Sequence, residues 1–312
     1  MMLVNQTAIT EFILLGFSNL HQFQLLLFLV ILFIYTMNLL GNILIILITT
    51  IDPALSSPMY FFLCNLSFLE VCFTLVVVPK LLVNLISKNK AISFSGCMTQ
   101  MFFFFFSGTV EYFLLAAMAY DRYVAICNPL RYSVIMKRRV CIQLVLVSWI
   151  SGFPVGIVQI TWLFTFPFCG PNEMNHFFCD SPPVLELVCT DSSLFEMYVL
   201  VATIIIIVIP FVLILVSYAC ILSTVLKMRS AEGQRKAFST CSSHLMVVTL
   251  FYGTGSLTYI RPKTSYSSDT RKLLSLSYAV IVPMLNPIIY SLRNNEMKQS
   301  LRRILRRKLY VF

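Results

Sequence analysis

Charge is what this chain has least of. Only 12% of its 312 residues are Asp, Glu, Lys or Arg, while 58% are hydrophobic. A soluble globular domain is nearer one quarter charged and one half apolar, so the composition excludes a soluble fold and reads as a membrane protein. Other absences narrow the reading. No soluble domain, low-complexity tract or obvious repeat interrupts the chain. Residues 1–20 have neither a basic start nor a short apolar core, so no cleavable signal peptide is expected. No inverted repeat or pair of broken helices marks a transporter, which leaves an ion or proton-coupled transporter or channel using Glu70 and Glu111 as the weaker alternative. No nucleophile–base pair and no metal constellation points to an enzyme. The basic residues are scattered over loops, which argues against a nucleic-acid partner.

What the chain does have is long apolar runs. A spanning helix needs ~20 mostly apolar residues. Seven stretches qualify, at about 23–50, 58–80, 98–120, 140–161, 195–226, 238–260 and 272–292. The sixth is diluted by Ser242, Ser243, His244, Gly253, Thr254, Gly255 and Ser256, and is read as a helix buried among its neighbours. Strands are excluded as spans, because unpaired backbone groups in lipid cost several kcal/mol each. The expected fold is an all-α membrane protein, one seven-helix bundle with residues 1–22 outside and 293–312 inside. That orientation puts sixteen Lys and Arg in the inner loops and tail against seven in the outer loops, as the positive-inside rule requires. The net charge of +10 then attracts anionic inner-leaflet lipid. Asn5-Gln6-Thr7 is a glycosylation sequon on the outer tail. In the inner tail, Leu301, Ile304, Leu305 and Leu309 recur at helical spacing between basic residues, a pattern that suits an amphipathic helix on the inner leaflet.

Six of the ten cysteines fall in spans or at their inner ends, and four lie outside: Cys97, Cys169, Cys179 and Cys189. An even outer count suggests two disulfides, and spacing alone leaves all three pairings open. Residues 162–194 form a long connection with no Lys or Arg but with Glu173, Asp180, Glu186 and Asp191; connections of this length often act as lids. His176-Phe-Phe-Cys179-Asp180 contains soft ligands for copper or zinc. A disulfide-bonded Cys179 has no thiolate to give, so His176 is read as packed within the lid and no metal is expected.

Charged residues at membrane depth carry a functional hypothesis. Glu70 lies about 18 Å above the inner end of its helix and Glu111 about 15 Å above Asp121, at 1.5 Å per residue. Two carboxylates at one depth cannot both stay ionised unless a cation intervenes. Either they form a hydrogen-bonded pair that holds a proton, or Na⁺ sits between them. Asn42 and the run Asn286–Tyr290 complete the polar core. Pro287 frees a backbone carbonyl, which Asn286 can satisfy across helices.

Six stretches carry a resemblance to a known family. MAYDRYVAICNP (118–129) closely resembles the inner end of the third helix of olfactory receptors, a branch of the rhodopsin-like G-protein-coupled receptors. FILLGFSN (12–19), PMYFFLCNLSFLE (58–70), CGPNEMNHFFCDSPPVLELVC (169–189), KAFSTCSSHL (236–245) and PMLNPIIYSLRN (283–294) are similar to further motifs of that family, in order along nearly the whole chain. The resemblance implies disulfides Cys97–Cys179 and Cys169–Cys189. It implies a cytoplasmic switch of Asp121, Arg122, Tyr123, Tyr218, Lys236 and His244, with Asn286, Pro287 and Tyr290 above it. His244 would face Arg122 at rest, and outward movement of the sixth helix would free Arg122 for a heterotrimeric G protein of the olfactory stimulatory type, raising cAMP. Rhodopsin-like receptors keep an acidic residue at the Glu70 position, commonly as an ion site; here Glu replaces the more usual Asp, and Glu111 is an addition seen in olfactory receptors. The pocket-facing set carried over is Phe105, Gly108, Thr109, Val201, Ile205, Tyr252, Gly255, Ser256, Tyr259 and Ala279. No ionisable acid or base is among these, so a neutral, small, mostly apolar volatile odorant is the expected ligand. The implied location is the plasma membrane, with the N-terminus extracellular.

Overall fold

A computed structural model describes residues 9–260, 268–292 and 295–309. The Asn5 sequon lies outside the described residues, as does the side chain of Lys236. Seven long helices form the bundle and are referred to by ordinal: Gln24–Ile51, Pro58–Ile86, Phe94–Cys127, Arg138–Leu163, Ser193–Leu226, Ala231–Tyr259, and a seventh built from Ser268–Leu276, Ser277–Ile281 and Val282–Leu292. An eighth helix, Asn295–Leu309, follows. Among the described residues, six helices are long and apolar enough to cross a membrane, and the sixth of the bundle is not one of them. It is held by its neighbours instead, packing against the third, fifth and seventh through buried Val247, Val248, Phe251 and Tyr252.

The five phenylalanines at 102–106 point around the whole circumference of the third helix. Phe103 is exposed, whereas Phe104 is buried and lies 4.8 Å, ring to ring, from Phe178. Phe102 and Phe106 face the fourth helix at two glycines one turn apart. A Cβ on Gly152 would come within 2.7 Å of Phe106, and one on Gly156 within 2.8 Å of Phe102. Small residues at this spacing let helices approach closely in lipid.

The third helix runs further than the expected 98–120, so Asp121-Arg122-Tyr123 is helical rather than terminal. The seventh helix was expected to bend at Pro287. The structure places a π-helical turn about two to three turns earlier, at Ser277–Ile281, which widens the helix and packs Tyr278, Ala279 and Val280 into the core. Pro287 sits against Gly41, where a Cβ would lie 2.8 Å from the proline ring.

The outer tail is more ordered than a plain tail. Glu11–Leu14 pairs antiparallel with Ala91–Ser93 and parallel with Glu173–Met174, forming the central strand of a three-stranded sheet. Its two-residue alternation buries Phe12 and Leu14. Pairing also satisfies backbone groups that packing would otherwise leave dry.

The eighth helix is amphipathic and packs part of its surface on the bundle. Met297 and Ser300 are buried, and Leu301 and Ile304 pack against the bundle core. Asp52, in the turn after the first helix, accepts from Ser300 Oγ at 2.5 Å and from Arg303 Nη2 at 2.7 Å. Tyr60 Oη donates to Glu296 at 2.7 Å. The side chains of Leu305 and Leu309 lie outside the described residues.

Candidate ligand cavity and polar path

The lid is fixed at two points. Cys97–Cys179 ties it to the outer end of the third helix and Cys169–Cys189 closes it on itself, with Cα separations of 5.4 and 5.6 Å. The Cys179 amide also donates to Gln100 Oε1 at 2.8 Å. This anchoring presses Phe177 and Phe178, both buried, onto the top of the bundle.

Beneath the lid is a cavity of about 550 Å³. Phe105 and Tyr259 lie at its inner side, Met197, Leu200, Leu257 and Leu274 form apolar wall, and Pro182, Pro183 and Leu185 descend from the lid. The volume lies within the range of ordinary small-molecule sites. The polar lining comes mostly from the lid. Asp180 Oδ1 accepts from the Ser181 amide at 2.8 Å, and Oδ2 accepts from Tyr259 Oη at 3.0 Å. Burial pushes the Asp180 carboxyl up to about 6, against the lowering effect of those two bonds. Burial also pushes His176 down to about 4, and the charges of Lys272 and Arg271 act in the same direction. The His176 Nδ1 atom lies 3.1 Å from the Phe178 carbonyl oxygen. At the rim, Arg271 Nη1 pairs with Glu186 Oε1 at 2.8 Å.

Two expectations are corrected here. The lining does hold ionisable groups, namely His176, Asp180, Glu186, Glu196 and Arg271, because the lid and the first turn of the seventh helix contribute to it. Val201 and Ile205 are about half exposed on the outer face of the fifth helix; Met197, Val199 and Leu200 supply that wall. Of the remaining expected residues, Phe105 and Tyr259 line the cavity. Gly108, Thr109, Tyr252, Gly255 and Ala279 are buried and outside that lining, and Ser256 is half-buried. Aromatic rings fill the space around them. A Cβ on Gly108 would meet the Tyr278 hydroxyl and one on Gly255 the Tyr112 hydroxyl. Tyr252 Oη donates to the Tyr112 carbonyl at 3.2 Å, and Thr109 Oγ1 bonds its own helix at Phe105 O. The rings form a continuous stack: Tyr259 is 6.3 Å from Tyr278, Tyr278 is 5.2 Å from Phe251, and Phe251 is 4.6 Å from Tyr112.

At mid-depth, Asn286 Nδ2 donates to Glu70 Oε1 at 2.5 Å and lies 3.4 Å from Glu111 Oε1. The amide expected to satisfy a carbonyl freed by Pro287 is therefore spent on two carboxyl groups. Glu70 Oε2 and Asn286 Oδ1 are buried with no hydrogen-bond partner among the described residues, so the donor set suits one small positive charge. Asn42 bonds within its own helix, to the Asn38 carbonyl at 3.2 Å.

At the inner end, Asp121 Oδ1 accepts from Tyr132 Oη at 2.7 Å, and Arg122 Nη2 rests on the sulfur of Met59. His244 was expected to face Arg122. It lies near enough to feel that charge, but its Nδ1 is 2.7 Å from Tyr218 Oη and the two rings stack. Tyr123 packs with Ile221, Val225 and Cys241. Tyr290 is buried, and its hydroxyl has no partner among the described residues. Sequence reading missed Tyr132 and Met59, which stand in loop and helix-end positions without a distinguishing pattern.

Comparison with known proteins places this geometry. A family model described as olfactory receptor matches residues 31–308. Human olfactory receptor 10A7 is 60% identical over 305 residues, covering 98% of this chain and 96% of its own. Human olfactory receptor 10A5 is 62% identical over 300 residues, covering 96% and 95%. Human olfactory receptor 10A4 is 61% identical over 310 residues, covering 99% and 98%.

Proposed function

Since the chain belongs to the olfactory receptor family of G-protein-coupled receptors, we propose that its ligand is a small, mostly apolar, neutral volatile molecule held in the cavity beneath the lid. The observation that carries this reading is the cavity itself: about 550 Å³, walled largely by aliphatic and aromatic side chains, and roofed by a loop tied down by Cys97–Cys179. A ligand resting on Phe105 and Tyr259 touches the top of the ring stack that leads through Tyr278 and Phe251 to Tyr112. Binding shifts the resting balance only through a difference in affinity between two states. The stack, the Glu70–Glu111–Asn286 cluster and the Tyr218–His244 pair supply contacts that change between them. The output we assign is activation of a stimulatory G protein of the olfactory type through Arg122, raising cAMP. The receptor sits in the plasma membrane with its N-terminus outside, a reading supported by the excess of basic residues on the inner side.

The test is a cAMP reporter screen of the full chain against a broad panel of volatiles, repeated on Leu200→Trp, which fills the cavity, and on Tyr259→Phe. Active volatiles should lose potency on filling, and Tyr259→Phe should weaken polar ligands more than hydrocarbons. Silence across the panel, or responses indifferent to filling, would overturn the proposal. Ion flux from the purified protein in liposomes would instead favour a transporter.

A further inference from the structure

The polar end of the cavity has a specific pattern of spare hydrogen-bond capacity. Asp180 spends one lone pair of Oδ1 on the Ser181 amide and one of Oδ2 on the Tyr259 hydroxyl. Each carboxylate oxygen has further acceptor capacity. Tyr259 gives its only hydroxyl proton to Asp180, so it too can offer only a lone pair. Ser181 is different. It is 2% exposed, it lines the cavity, and its Oγ has no partner among the described residues. Its hydroxyl rotates freely to donate. One spare donor thus stands beside a group of spare acceptors, in a site where an unmade bond costs more than a made one gains.

Ligand chemistries can be ranked against that pattern. A hydrocarbon satisfies neither side. An aldehyde, ketone or ether can take the Ser181 proton, but it sets no proton against Asp180. An ammonium group can donate to Asp180, but it has no lone pair with which to accept the Ser181 proton. A hydroxyl satisfies both sides, since its oxygen accepts from Ser181 and its proton goes to Asp180. Resting on the reading of this cavity as the odorant site, we infer that Asp180 and Ser181 select alcohols and phenols carrying a hydrocarbon body. Arg271 also lies in the lining, with an Nε–H that has no partner among the described residues, but its head is paired with Glu186 at the rim.

The test uses the full chain in membranes, a cAMP reporter and direct displacement binding. The probes are alkane, aldehyde, alcohol and primary amine on three skeletons: hexyl, octyl and phenylethyl. The alcohol should exceed its matched aldehyde by about tenfold or more, since it adds a hydrogen bond to an ionised group. Ser181→Ala should lower alcohol potency about three- to tenfold, and Ser181→Thr, which keeps the hydroxyl, should restore it. Asp180→Asn should shrink the gap between alcohol and aldehyde, while Arg271→Gln should leave that gap in place. An aldehyde or amine that matches the alcohol, or a gap that survives both Ser181→Ala and Asp180→Asn, overturns the inference while the cavity reading stands. Silence of every probe on every skeleton overturns both.

Discussion

Replacing His176 with Asn should make the lid harder to open as pH falls from 6 to about 4.5. Burial lowers the His176 imidazole from 6.5 to about 4. A lid that opens frees the ring to take a proton, so acid below 6.5 favours the open form. That preference is worth up to about 3 kcal/mol at 1.36 kcal/mol per pK unit. Asp180 has the opposite sign. Burial raises its carboxyl from 3.8 to about 6, so between those values the closed lid holds a proton that the open lid releases. Acid therefore favours closure, again by up to about 3 kcal/mol. Between about pH 4 and 6 the closed form binds one proton on Asp180 and the open form one on His176. The two counts match, and the native lid should show a nearly flat profile across that window. His176→Asn keeps a donor for the Phe178 carbonyl and removes one of the two titrations. Its lid should gain about 1.4 kcal/mol of protection per pH unit of acidification, and Asp180→Asn should lose a similar amount. Amide hydrogen exchange over residues 173–185 of the membrane-embedded protein, corrected for the intrinsic pH dependence of exchange, reads this directly. A native lid that steepens by about 1 kcal/mol per unit, or a flat profile in His176→Asn, would refute the reasoning.

Other expectations follow from packing and charge. Gly152→Ala should cost about 1–3 kcal/mol in thermal stability, because the new Cβ meets the Phe106 ring at 2.7 Å and its carbonyl at 2.8 Å. Gly253→Ala, which meets nothing within 4 Å, is the control and should stabilise slightly. Asp52→Ala should loosen the eighth helix by removing the acceptor of Ser300 and Arg303; hydrogen exchange over 296–304 should rise while the bundle core stays protected. If the Glu70–Glu111 pair holds Na⁺, a Na⁺ titration should shift ligand potency and Glu70→Gln should abolish the shift. Potency unchanged across the titration would leave a shared proton as the charge that Glu70 Oε2 and Asn286 Oδ1 accommodate.

Spans and switch were read at different strengths from the sequence. The seven helices were legible because lipid imposes one rule on every spanning segment, and even the sixth helix announced its weakness through Ser242, Ser243 and His244. Disulfide pairing came from the family resemblance, since four outer cysteines fit three pairings equally well. The height of the cavity was not legible. It depends on how far the lid descends, which is set by the Cys179 tether and by Phe177 and Phe178 rather than by any periodicity. That is also why Asp180 was legible only as an acidic lid residue and Ser181 not at all, while Val201 and Ile205 were placed on the wrong face. An apolar helix in lipid carries apolar residues all round, so hydrophobicity does not tell its inner face from its outer one. The outer sheet was invisible for a related reason. Three strands of two to four residues each are too short to show an alternation that stands out from loop sequence.

The sixth helix also bears on how the molecule is made. A segment with this many hydroxyl, glycine and histidine residues, and with Glu232 and Arg235 in its opening turns, gains too little from hydrocarbon to remain there alone. Its place in the bilayer belongs to the assembled bundle. During synthesis it must wait for partners, with the third and fifth helices emerging before it and the seventh after. A chain stalled before the seventh helix would present a half-inserted polar segment. Amino-acid changes that disturb the packing of its Phe251 and Tyr252 on Tyr112 of the third helix should therefore be felt first as a shortage of folded receptor in the membrane, before any change in what that receptor binds.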